Sequence, residues 1–74
     1  MNILDRLNEE YQIEVKDDIF YDMQEKSIIA RSKQELIQFY IDSFKYKAEC
    51  LFEDEAETKN NYENIIKQLE NLIQ

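Results

Sequence analysis

Carboxylates are the residues of this chain whose number and spacing could do chemistry. Seventeen Asp and Glu stand against nine Lys and Arg in 74 residues, a formal charge of −8 at pH 7, and there is no His, Gly or Pro. They concentrate at Glu53, Asp54, Glu55 and Glu57, with Glu49 four residues before Glu53, and at the adjacent pair Asp17 and Asp18. Paired carboxylates can serve acid–base hydrolysis, but a glycosidase pair needs a substrate cleft that so small a body hardly forms. A calcium loop of the EF-hand type needs acids at alternate positions and a Gly at its sharp turn; neither acidic stretch has that spacing, and the chain has no Gly. Phosphate-cradling loops fail for the same reason. Cys50, the single cysteine, has no imidazole to activate it and reads as a small buried core thiol with no role in activity. The expectation is a protein that is not an enzyme and that uses no catalytic residue, metal or cofactor.

Binding is the better use of these acids. A field of this sign repels nucleic acid and anionic membrane surfaces, since phosphate contacts supply most nucleic-acid affinity, and it attracts basic protein surfaces. The expected partner is therefore a basic protein. A lone cysteine fits a reducing compartment, no apolar run approaches the ~18 residues needed to span a bilayer, and acids interrupt the N-terminus where a signal peptide needs an apolar stretch. These features point to a cytoplasmic protein. The length suits one domain, residues 1–74, whose core draws on 43% apolar residues including five Tyr and four Phe.

The elements that must position the acids are read from apolar spacing. Asn2 can cap a short helix carrying Ile3, Leu4, Leu7 and Tyr11. Residues 13–31 then read as two or three short strands: Ile13 and Val15, then Ile19, Tyr21 and Met23 alternate with polar neighbours, and Ile28 and Ile29 form a third piece. A helical turn around residues 19–23 is a rival. Asp17 and Asp18 suit a tight turn, although the lack of Gly disfavours type I′ geometry. Ser32 and Glu35 form a capping box, in which Glu35 should reach back to the amide of the cap, so a long helix should start there. Its stripe is Leu36, Ile37, Tyr40, Ile41, Phe44, Ala48 and Leu51; a last helix carries Tyr62, Ile65, Ile66, Leu69, Leu72 and Ile73. The expected fold is α+β: a short N-terminal helix, a small antiparallel sheet and two C-terminal helices packed together.

On this scheme Asp54, Glu55 and Glu57 sit in the first turn of the last helix, where carboxylates complement the dipole by about 0.3–1 kcal/mol each. Glu49 and Glu53 fall in the last turns of the preceding helix, where the dipole opposes them. Were the helix continuous, Glu49, Glu53 and Glu57 would form a row of like charges costing about 0.2–0.5 kcal/mol per neighbouring pair, at a spacing of roughly 6 Å. A solvated face kept for solubility accounts for most charge runs. The sharper reading is an acidic ridge that stands in for backbone phosphates and meets Arg and Lys on a partner.

Residues 32–62, SKQELIQFYIDSFKYKAECLFEDEAETKNNY, resemble the C-terminal half of a small phage-encoded anti-CRISPR protein, an acidic inhibitor of type II RNA-guided nucleases. The shared features are the Ser/Glu helix start, the stretch ending at Phe44 and Lys45, the Glu53, Asp54, Glu55 run and the later Tyr62; the opening MNILDRL is similar in style. The resemblance implies a helix, an antiparallel sheet and two further helices. It also implies a DNA mimic whose carboxylates occupy the site where the nuclease reads its PAM duplex. Glu53, Asp54 and Glu55 are then the first candidates for partner contact, and Asp17 and Asp18 the next. Two other classes stay open. One is an immunity or antitoxin protein for a basic nuclease or toxin. The other is a helical interaction module binding through apolar surface, for which Phe39, Tyr46 and Phe52 would have to face outward.

Overall fold

In the computed structural model, which describes residues 2–73, seven elements follow one another. They are α1 (Ile3–Glu10), β1 (Ile13–Lys16), β2 (Ile19–Asp22), β3 (Ser27–Ala30), α2 (Lys33–Glu49), a one-turn 3-10 helix (Glu53–Glu55) and α3 (Ala56–Asn71). The architecture is the expected one: a short helix, an antiparallel sheet in the order β1-β2-β3, and two helices packed on each other. Asn2 starts α1 by accepting the Asp5 amide at 2.9 Å, and Ile3, Leu4 and Leu7 turn their side chains into the core. The helix stops at Tyr11, whose amide still bonds Leu7 at 2.9 Å. Its ring lies against Tyr40 and Phe44, with centroids 6.2 and 6.4 Å away.

The segment from Ile19 is strand throughout, and the helical rival for residues 19–23 is excluded by its pairing on both sides. Lys16 pairs with Ile19, so Asp17 and Asp18 make a two-residue hairpin loop. Both have positive φ, 54° and 62°. This is the left-handed sense of a type I′ turn, which the absence of Gly had argued against. Aspartate enters that region more readily than most residues because its short polar side chain can bond the local backbone.

Which face of β2 is inward also departs from the sequence reading. Phe20 pairs with Val15 and with buried Ala30, so Phe20 points to the core and the Ile19 and Tyr21 alternation marks the outer face. Met23 lies past the strand and is exposed. The pairing slips between Phe20 and Tyr21, opposite Ala30 and Ile28 respectively, and leaves Ile29 as the extra residue of a bulge. That extra residue lets Ile29 and Ala30 both pack toward the helices.

Ser32 caps α2 by accepting the Glu35 amide at 3.1 Å. The carboxylate of Glu35 accepts from the amide of Arg31 at 2.7 Å, one residue earlier than a standard capping box would place it. Leu36, Ile37, Tyr40, Ile41 and Phe44 then form the centre of the core, completed by Ile66 and Leu69 of α3. The stripe fades at both expected ends. Ala48 and Leu51 are half-buried, and Leu72 and Ile73, past the end of α3, are largely exposed.

Candidate functional site

The helix that carries Glu49 ends on it, because Cys50 closes α2 with its amide bonded to the carbonyls of Tyr46 and Lys47. Leu51 and Phe52 belong to no helix, and the chain restarts as the 3-10 turn. Glu53 is therefore not in the last turn of the preceding helix. Nor are Asp54 and Glu55 in α3, whose first turn contributes Glu57 alone. With three residues outside any helix between Glu49 and Glu53, the evenly spaced row of Glu49, Glu53 and Glu57 does not form on one axis. What forms instead is an acidic corner at the α2–α3 junction.

Its geometry is set by one of its own acids. The carboxylate of Glu55 accepts the Phe52 amide at 3.0 Å, while the Glu55 amide donates to the Phe52 carbonyl at 3.0 Å. Glu55 is half-buried by this arrangement, whereas Glu49, Glu53, Asp54 and Glu57 are exposed. Thus Glu55 shapes the corner, and its neighbours carry the charge outward. Phe52, braced by the same two bonds, is 78% exposed, the most exposed large apolar side chain among the described residues. Asp17 and Asp18 are also exposed, but they sit on the β1–β2 hairpin, which has no extensive contact with the 3-10 turn. The structure brings the junction acids together and leaves the hairpin pair on a separate element.

Cys50 is exposed rather than buried. It occupies the helix end, where the chain turns away from the core and Leu51 takes the inward position. The aromatic residues named for an apolar interface do face outward: Phe39 is 40% and Tyr46 69% exposed, with Phe52 beyond them.

A second polar feature had no signature in the sequence. Between Tyr11, Ile13, Asp22 and the α2 residues Phe39, Tyr40, Ser43, Phe44 and Lys47 lies a cleft of about 140 Å³. The Lys47 ammonium donates to the Tyr11 hydroxyl at 3.1 Å and lies 4.8 and 5.0 Å from the Tyr11 and Phe44 ring centroids. Three residues after Phe44, Lys47 stands at the edge of the apolar stripe, which is the one hint its position offered. At the cleft floor the Tyr40 hydroxyl donates to Asn8 at 2.8 Å. Burial, reinforced by Tyr11, Asp22 and Glu10 nearby, pushes the Tyr40 phenol well above its ordinary range. The cleft is smaller than the ~300 Å³ at which small-molecule sites begin, and its one cation, Lys47, is already bonded to Tyr11. Among the described residues no three His, Cys, Asp or Glu side chains gather as a metal-ligating group, and no helix is long and apolar enough to cross a membrane. Comparison with protein-family models, with curated proteins and with solved structures finds no match for this chain.

Proposed function

We propose that this protein is an inhibitor that docks its acidic α2–α3 corner in the nucleic-acid site of a basic nuclease of bacterial defence, in the manner of a phage anti-CRISPR protein acting on a type II effector. The observation that supports it is the division of labour at the corner. Glu55 turns in to brace the backbone, Glu53 and Asp54 are held out in solvent on the short turn it braces, and Glu49 and Glu57 flank them, exposed, on the ends of α2 and α3. The braced backbone sets where Glu53 and Asp54 project, and charge pairs at protein interfaces couple by ~1.5–7 kcal/mol. The helix–sheet–helix–helix order implied by the resemblance is also the order of this fold.

The test is binding to purified type II effector with DNA as competitor. A stoichiometric complex should exclude DNA and weaken as salt rises. Neutralising Glu53→Gln, Asp54→Asn and Glu57→Gln together should lower affinity by about tenfold or more, with circular dichroism unchanged. Glu55 is kept out of the set because its change would disturb the turn. Failure to bind, or a complex indifferent to both salt and the triple change, would refute the corner as a DNA mimic.

The outward Phe39, Tyr46 and Phe52 favour a second reading, an interaction module that binds through aromatic surface. On that reading Tyr46→Ala and Phe52→Ala abolish binding and the acidic triple change does not.

A further inference from the structure

The face between α2 and α3 has a charge pattern unlike the rest of the molecule. A groove of about 370 Å³ runs there, floored by Ala48 and Ile66 and walled by Lys45 and Glu49 on α2 and by Lys59, Glu63, Lys67 and Glu70 on α3. Three of the nine cations line it, matched by three carboxylates, so the groove is neutral on a chain whose formal charge is −8. Another acidic molecule meets less repulsion there than at the acidic corner.

The order of the charges selects which molecule. Along α3 the wall reads positive, negative, positive, negative at residues 59, 63, 67 and 70. A row of alternating sign and even length is complementary to itself when laid antiparallel. Lys59 then meets Glu70 of the other row, and Glu63 meets Lys67. The two pairings have midpoints at positions 64.5 and 65, which differ by about 0.75 Å along a helix rising 1.5 Å per residue, so both are made in one register. An antiparallel self-match of this kind is what a two-fold axis requires of an isologous interface.

Helix stability accounts for only part of the order: Glu63–Lys67 has Glu before Lys, the order that supports a helix best, whereas Lys45–Glu49 and Lys59–Glu63 run the other way.

We infer that the α2–α3 groove is a homodimer interface, in which two copies lie antiparallel along α3 with Lys59 against Glu70 and Glu63 against Lys67 of the second copy. Ile66, one residue from the centre of this register, is buried in the chain's own core, so the charged wall makes the contact. The inference does not depend on the proposed inhibitory function: of the corner acids only Glu49 lines the groove, and Glu53, Asp54, Glu55 and Glu57 lie outside it.

Sedimentation equilibrium on the full chain tests it. Wild type should show a concentration-dependent monomer–dimer equilibrium. Lys59→Glu with Lys67→Glu should sediment as monomer, and so should Glu63→Lys with Glu70→Lys. All four positions are exposed, and circular dichroism will verify that each variant folds. An equimolar mixture of the two variants should restore the dimer, because each supplies the sign the other lacks. A wild type that stays monomeric into the millimolar range would overturn the inference. So would a dimer that survives both reversals, or a mixture that fails to reassociate.

Discussion

Two glutamates in this chain hold a backbone amide at the start of a helical segment, and the segments that follow have opposite fates. Glu35 bonds the Arg31 amide at 2.7 Å and opens α2, whose next turns bury Leu36, Ile37, Tyr40 and Ile41. Glu55 bonds the Phe52 amide at 3.0 Å and opens a 3-10 turn that buries nothing. In the first case the polar brace only sets where the helix begins, and apolar burial of roughly 1.5–3 kcal/mol per large side chain holds it. In the second the brace is most of what holds the chain in place. A start followed by an apolar stripe is a structural device; a start followed by exposed acids and an exposed Phe52 presents a surface.

The sharpest way to break this comparison is to truncate one apolar residue from each region. Leu36→Ala, at a fully enclosed position, should cost about 2–5 kcal/mol in urea unfolding. Phe52→Ala should stay within about 0.5 kcal/mol of wild type, as surface changes do. Equal costs would mean that the corner packs in solution in a way the exposure of Phe52 denies.

A smaller effect probes the polar bond inside the buried region. Tyr40→Phe removes the donor to Asn8, and should cost about 1 kcal/mol near neutral pH. The same variant has a signature in alkali. Because the folded phenol is raised, the folded chain keeps its proton where the unfolded chain, titrating near pH 10, releases it. The neutral phenol's contribution is complete below about pH 10 and declines as pH rises further, so wild-type stability should fall there more steeply than that of Tyr40→Phe. Parallel pH profiles would contradict a buried, raised Tyr40.

The smallest difference separates the side-chain bonds at the two helical starts. Ser32→Ala should cost about 1 kcal/mol through loss of the bond to the Glu35 amide. Glu55→Gln should change global unfolding by about 0.5 kcal/mol or less, yet speed amide exchange at Phe52. If Glu55→Gln were the costlier change, the corner would be part of the folding core.

The contrast also explains what could be read in the sequence. Leu36 to Phe44 was legible because burial imposes a period on residue type, and the same period located Ile66 and Leu69. Asn2 and Ser32 were legible because capping needs particular side chains at a fixed offset. The break after Glu49 was not: Cys50, Leu51 and Phe52 interrupt the helix with neither Gly nor Pro, and the acids beyond them keep helical spacing by number alone. The inward face of β2 was misread because a bulge at Ile29 and two apolar faces leave alternation ambiguous. Cys50 was assigned inward on residue preference, which carries no weight at a helix end. The groove charges were in view throughout, but their membership of one face required α2 and α3 to be placed together.

The exposed thiol at the close of α2 makes the protein an instrument for its own study. Cys50 is the chain's one cysteine, it is open to solvent, and it stands two residues before Phe52. A maleimide dye would label that position alone, with no engineered cysteine and no background from other sites. Its emission would report directly on whatever approaches the acidic corner, and fluorescence anisotropy could follow partner capture in the unmutated sequence.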